Sequence, residues 1–295
     1  MMNTPTKKVG EVSYYNGVNT ELNINNPLEV TLTITEQNFV SDNVTVFVTK
    51  DGSSVELKKE DVTWSYGTDE KDSSVIDKSK NVGTFTLSED GHYNITVMYT
   101  DSFGNAMADY VHEGKIVIDS TIPTIKVAYT QKNDANEDIE NTLASATSNN
   151  TNYFAKQQTA TITVTERNFD ANNVTVNIKA TAHDGTELEK YEGTVKDTEG
   201  KFYKILNWSE GPKPYTHILT ITYSGDANYS FDISCTDIVG NEAVNYETDY
   251  FTVDTSAPDA STDKLVVTYS EGTSLVEKLL NKVQQLFGFY NDTVT

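Results

Sequence analysis

Carboxylates are the side chains in this 295-residue chain best placed to do chemistry, because they recur at matching positions. Glu36 and Glu166 each close a Thr-x-Thr strand ending. Asp101 and Asp237 open the same Thr-Asp-x-x-Gly-Asn turn, and Asp119 and Asp254 each end an apolar strand ahead of a proline. Oxygen ligands converging where two modules meet would suit calcium, as in cadherin-like arrays with acidic linkers, since that ion takes roughly six to eight of them. Two carboxylates flanking one bond would suit glycoside hydrolysis. Neither is expected here. No dense Asp-x-Asp cluster occurs, a turn aspartate normally caps its own backbone, and Glu36 and Glu166 lie too far apart in sequence to form one pair. His92, His112, His183 and His217 show no metal-ligand spacing, and no Ser/His/Asp set, Gly-rich phosphate loop or Cys-x-x-Cys is present. Cys235 is the single cysteine; it excludes an intrachain disulfide, falls at an inward strand position and reads as a buried, inert thiol. The chain is therefore read as non-enzymatic, with no catalytic residue, no metal ligand and no cofactor.

The elements that position these residues occur twice. Thr33-Ile34-Thr35-Glu36-Gln37-Asn38-Phe39 leading to Asn43-Val44-Thr45-Val46 returns as Thr163-Val164-Thr165-Glu166-Arg167-Asn168-Phe169 leading to Asn173-Val174-Thr175-Val176. Asp51-Gly52 returns as Asp184-Gly185, and Trp64 as Trp208. Ile118-Asp119-Ser120 with Pro123 returns as Val253-Asp254-Thr255 with Pro258. A repeat at this spacing means tandem modules. Period-two alternation assigns strands: Val30, Leu32 and Ile34 face one side, as do Ala160, Ile162 and Val164. Val44, Val46 and Val48 match Val174, Val176 and Ile178. Tyr93, Ile95, Val97 and Tyr99 match Tyr229, Phe231, Ile233 and Cys235. The Asp-Gly pairs predict hairpin turns, Asn38 and Asn168 are expected to close strands in left-handed geometry, and Tyr93 and Tyr229 are placed as tyrosine corners. The tryptophans are expected in the core. Phe202, Tyr203 and Tyr215, crowded around Trp208, leave a sugar-binding face open.

Composition sets further bounds. Hydrophobic residues make up 37% of the chain, 17 Tyr and 11 Phe among them, which fits thin β-sheets better than a large enzyme core. The formal charge of −22 repels phosphate backbones and anionic membranes, so nucleic acid is not an expected partner. No apolar run reaches the roughly 18 residues of a membrane helix, so membrane insertion of this stretch is not expected either. The start lacks the basic and apolar regions of a signal peptide. The doubled Met1-Met2 suggests a piece of a longer protein.

The Thr-Ile/Val-Thr-Glu-x-Asn-Phe opening, the Thr-Asp-x-x-Gly-Asn turn and the Val-Asp-Thr-x-x-Pro linker resemble the bacterial Ig-like repeats of large Gram-positive surface proteins. The resemblance covers about residues 12–258. It implies an all-β fold of tandem Ig-like antiparallel sandwiches, one over residues 10–120 and one over 121–256, without disulfides, on an extracellular, wall-anchored or secreted protein. Members are non-enzymatic stalks and adhesins, and similar repeat proteins of gut commensals include superantigen-like binders of antibody heavy-chain variable domains.

Residues 257–295 break the pattern. Leu265-Val266-Val267-Thr268-Tyr269 matches Ile125-Lys126-Val127-Ala128-Tyr129 and starts a third, unfinished module. Apolar residues at Leu275, Val276, Leu279, Leu280, Val283, Leu286 and Phe287 then fall at helical spacing. Ser274 with Glu277 makes a capping box and Gly288 a stop. Lys278 and Lys282 lie largely off the apolar stripe. An amphipathic helix of this kind packs on its own module, or docks on a partner through that stripe and its lysines. The leading expectation is a monomer that recognises a host protein, an immunoglobulin heavy-chain variable domain first, through module two and residues 274–287. A passive spacer and a sugar adhesin are the alternatives.

Overall fold

The computed structural model describes residues 5–19, 24–25, 27–112, 116–143 and 152–257. The chain divides into two units, Met1–Asp254 and Thr255–Thr295. The expected strand 265–269, the expected helix 274–287 and the expected contact residues from Leu275 to Phe287 lie outside the described residues. Within those residues the fold is all-β. The only helical pieces are three-residue turns at Ser41–Asn43, Lys59–Asp61 and Ala171–Asn173, and no helix is long and apolar enough to cross a membrane.

Two pairs of sheets carry the fold. We label the principal strands β1 (Val12–Asn16), β2 (Leu28–Thr35), β3 (Val44–Lys50), β4 (Ser53–Glu56), β5 (Thr63–Thr68), β6 (Ile76–Leu87), β7 (Gly91–Tyr99) and β8 (Ile116–Asp119) in the first half. The second half has β9 (Thr124–Lys132), β10 (Asp138–Asn141), β11 (Tyr153–Phe154), β12 (Gln158–Thr165), β13 (Val174–Thr181), β14 (Glu187–Thr194), β15 (Tyr203–Ile205), β16 (Thr216–Tyr223), β17 (Ala227–Cys235) and β18 (Asp249–Val253). One sheet of the first half runs β1-β8-β7-β3-β4, and its counterpart in the second half runs β11-β18-β17-β13-β14. In both, the first pair is parallel and the rest antiparallel. The facing sheets are β2-β6-β5 and β10-β9-β12-β16-β15. The sequence repeat is therefore in large part a repeat of topology, and the halves differ at one edge in particular. β12 is flanked by β9 on its outer edge, whereas among the described residues nothing pairs with the outer edge of β2. A cleft of about 390 Å³ opens beside it, bordered by Leu32, Ile95, Val97, Met107 and Tyr110.

Alternation builds the cores as expected. Val44, Val46 and Val48 are buried while their neighbours are not, and Val174, Val176, Ile178 and Ala180 repeat this on β13. Two separate clusters result. One is drawn from residues between Tyr15 and Ile118, the other from residues between Tyr129 and Val253. The tryptophans flank the cores half-buried rather than sitting inside them. Trp64 packs on Phe39 with ring centroids 4.7 Å apart, and Trp208 on Phe169 at 5.0 Å. Gly83 makes room for the first of these, because a methyl there would lie 2.8 Å from the Trp64 ring. Phe202 and Tyr203 are buried, at 9% and 1% exposure, so of the crowded aromatics only Tyr215 stands in solvent. Phe202 and Tyr203 thus fill core.

Both Asp-Gly pairs form hairpin turns as expected, while the asparagine turns differ from expectation. Asp51 and Gly52 both have positive φ, 51° and 84°, and join Lys50 to Ser53 in a two-residue hairpin. Asp184-Gly185 joins β13 to β14 through a longer hairpin loop, closed by Ala182 N–H to the Thr186 carbonyl at 2.8 Å, with only Gly185 at positive φ. Asn38 and Asn168 do not adopt left-handed geometry. Each donates its backbone N–H to the preceding glutamate side chain, at 2.8 Å to Glu36 and 2.7 Å to Glu166. An acidic side chain thus turns the strand end, where backbone chirality was expected to do so.

The tyrosine corners form in both halves. The Tyr93 hydroxyl donates to the Glu89 carbonyl at 2.6 Å, and the Tyr229 hydroxyl reaches the carbonyls of Gly225 and Phe202 at 2.7 and 2.8 Å. Tyr223 is the contrast, since its hydroxyl is buried without a hydrogen-bond partner. Removing a paired hydroxyl strands its acceptors, while removing an unpaired one relieves a desolvated dipole. Tyr229→Phe is therefore expected to lose about 1–2 kcal/mol, and Tyr223→Phe to be neutral or stabilising by up to about 1 kcal/mol. Urea denaturation of the two variants side by side checks this; equal losses would refute it.

Candidate functional site

The strand β8 ends at Asp119, and β9 begins at Thr124 after four intervening residues. This short linker is held at both ends. Asp90, from the first half, accepts from the Ser120 N–H at 2.9 Å and from the Ser120 and Thr121 hydroxyls at 2.8 and 2.7 Å. On the other side Asn241 Nδ2 donates to the carbonyls of Asp119 and Thr121, at 3.3 and 3.2 Å, while its Oδ1 accepts from Asn16 Nδ2 at 3.0 Å. Arg167 forms an ion pair with Asp51 and lies 5.5 Å from the Tyr215 ring. That pairing holds the Asp51 carboxyl down at about 2.

Three of the six repeated acids meet here. Asp119 comes from the linker, Glu166 from the end of β12 and Asp237 from the turn after β17. One oxygen of each lies within 4.8 Å of the others. Their exposures are 3%, 2% and 1%. Hydrogen bonds satisfy most of these oxygens. Asp119 accepts from Thr121 N–H at 3.0 Å and from Asn168 Nδ2 at 2.6 Å. Asp237 accepts from the N–H groups of Gly240 and Asn241, each at 2.8 Å, and from Asn241 Nδ2 at 2.8 Å. Glu166 Oε1 takes the Asn168 N–H, but Oε2 is buried with no partner.

Three carboxylates held this close repel one another by roughly 3 kcal/mol per ionised pair at an effective dielectric of about 20. Burial raises the pKa of all three; nearby carboxylates add to this, Asp119 and Asp237 at Glu166, Asp119 at Asp237 and Asp90 at Asp119, and Glu166 is pushed up to about 7. The adjacent Cys235 thiol, buried at 3% exposure, is pushed up to about 12 by burial and by the charges of Glu166 and Asp237. It is too weakly acidic to serve as a nucleophile.

The counterpart acids of the first half stay apart from any such group. Asp101 caps its own exposed turn, accepting from Phe103 and Asn105 N–H, each at 2.8 Å. Glu36 holds Asn38 N–H and is only half-buried. The self-capping expected of these turns is thus what Asp101 does, and at Asp237 the same capping coexists with a buried cluster. Among the described residues, the oxygen donors grouped closely enough to hold a cation are Asp119, Glu166 and Asp237. The sequence places Asn168 and Asn241 only as turn residues and gives neither their bonds at the junction nor the Arg167–Asp51 pair; the one usable signal was Arg167 standing where the first copy has Gln37.

No protein-family model matches the chain, and a search of curated proteins finds no match.

Proposed function

We propose that the chain is a non-enzymatic segment of an extracellular bacterial surface protein, built of two tandem Ig-like sandwiches that act as a stiff stalk. The observation that supports this is the hydrogen-bonded linker. Side chains from both halves, Asn16, Asp119, Asn168 and Asn241, share hydrogen bonds across it, so the halves are coupled and not strung on a free tether. The matched sheet orders and the two tyrosine corners support the Ig-like assignment. A second reading, recognition of an antibody variable domain, is favoured by the helical apolar spacing at Leu275, Leu279, Leu280 and Val283.

One experiment separates the two. The immobilised full chain is exposed to serum and mucosal secretions beside a Leu279→Ser, Leu280→Ser variant. A stalk retains no host protein in either form. Antibody retained by the parent and lost in the variant would replace the stalk with the recognition reading.

A further inference from the structure

We propose that Asp119, Glu166 and Asp237 form a binding site for a calcium ion at the junction of the two halves. The claim stands whether or not the chain is a surface stalk. Three observations carry it. The oxygens of the three carboxylates already converge within 4.8 Å. All three residues are buried, and they arrive from three separate segments: the linker, the end of β12 and the turn after β17. Glu166 Oε2 is left without any hydrogen bond in that buried place, although the polar groups around it are otherwise matched. An unpaired carboxylate oxygen beside two further carboxylates lacks one thing, a positive charge, and among the described residues no lysine or arginine supplies it by ion pairing; Arg167 is engaged with Asp51.

The donor set selects the ion. All-oxygen ligands suit hard cations and give soft metals no thiolate or imidazole. Magnesium keeps several waters and demands near-octahedral geometry, whereas calcium accepts irregular shells in which bidentate carboxylates and carbonyls replace water. A pocket this buried favours the ion that sheds its water more readily. Bound there, the ion ties Asp119 of the linker to two turns of the second half, adding a charge-based clamp to the Asn241 hydrogen bonds.

The test uses the full chain freed of metal with a chelator, titrated with calcium chloride and separately with magnesium chloride by calorimetry in about 150 mM salt. That ionic strength screens diffuse binding to a chain of net charge −22. One calcium site per chain is expected, with magnesium at least tenfold weaker and a calcium-dependent rise in melting temperature. Glu166→Gln keeps the shape and removes the unpaired charge. It should fold without metal at least as stably as the parent while losing calcium affinity by tenfold or more. Glu36→Gln, the matching change in the first half, should leave affinity unchanged. No calcium heat in the parent overturns the proposal. So does a Glu166→Gln variant that binds as the parent does, because the ions would then sit elsewhere on the acidic surface. Since the parent titration alone can refute the site, a variant that failed to fold would not shield it.

Discussion

Phe251→Ala should destabilise the second half by about 3–5 kcal/mol, the range for a fully buried aromatic cut back to a methyl. Phe251 is 0% exposed. Its ring meets Tyr129 at 5.4 Å, Phe154 at 6.2 Å, Tyr223 at 4.9 Å and Tyr229 at 5.3 Å between centroids. These neighbours lie on β9, β11, β16 and β17, in both facing sheets, so the cavity left behind has no single element able to collapse into it. The two tryptophans make the measurement local. Trp64 reports on the first core and Trp208 on the second, and a Trp208→Phe background leaves only the former. Urea titrations should show the Trp208 signal shifting strongly to lower denaturant with the Trp64 signal moving far less. Equal shifts of both signals would mean that the two clusters melt as one, against their separation in the fold.

The second large effect is expected at Asn241. Its side chain donates to two linker carbonyls and to Asp237 Oδ2, and accepts from Asn16. Asn241→Ala would remove all these bonds at once and leave the buried Asp237 Oδ2 without its donor, and a loss of about 2–3 kcal/mol follows from the lost bonds and that stranded oxygen. Asn105 occupies the same place in the same motif of the first half. It donates to Asp101 Oδ2 at 2.7 Å on an exposed turn, and water can replace that bond, so Asn105→Ala should stay within about 0.5 kcal/mol. Thermal melts of the pair at neutral pH make the comparison. Similar losses at both positions would show that the junction contacts add little to stability.

That pair of asparagines also shows where the sequence speaks and where it falls silent. Strand faces were legible because Val, Ile and Tyr at every second position leave one way to bury them. The tyrosine corners were legible because a Tyr following an Asp by three residues at a strand start has a known task. The meeting of Asp119, Glu166 and Asp237 was not legible. Glu36 and Glu166 sit in nearly identical heptapeptides, yet only the second is deeply buried, because what buries it arrives from a linker far away in sequence. Local pattern encodes which way a side chain points, while the packing of one sheet pair's end against the next decides what it meets. Only the exchange of Gln37 for Arg167, which gives the second copy a cation to place on Asp51, marked the two ends as different. The turns at Asn38 and Asn168 failed for a related reason: a left-handed asparagine was inferred from residue type, whereas the glutamate two positions earlier already satisfied the N–H concerned.

The uncovered side of β2 has a consequence of another kind. In the second half β9 completes the sheet, laying Ile125 and Val127 against the core. The first half offers the same row of outward N–H and C=O groups with no described strand upon it, above a cleft that Leu32 and Val97 line. A sheet left open in this way is a template: main-chain hydrogen bonds along it ask only for an extended backbone, and alternate pockets beneath ask for an apolar residue at every second place. The two halves, alike in sequence, therefore differ in valence. Among the described residues, β9 and β10 extend the sheet of the second half, whereas the edge of β2 carries main-chain groups that a further strand could pair with.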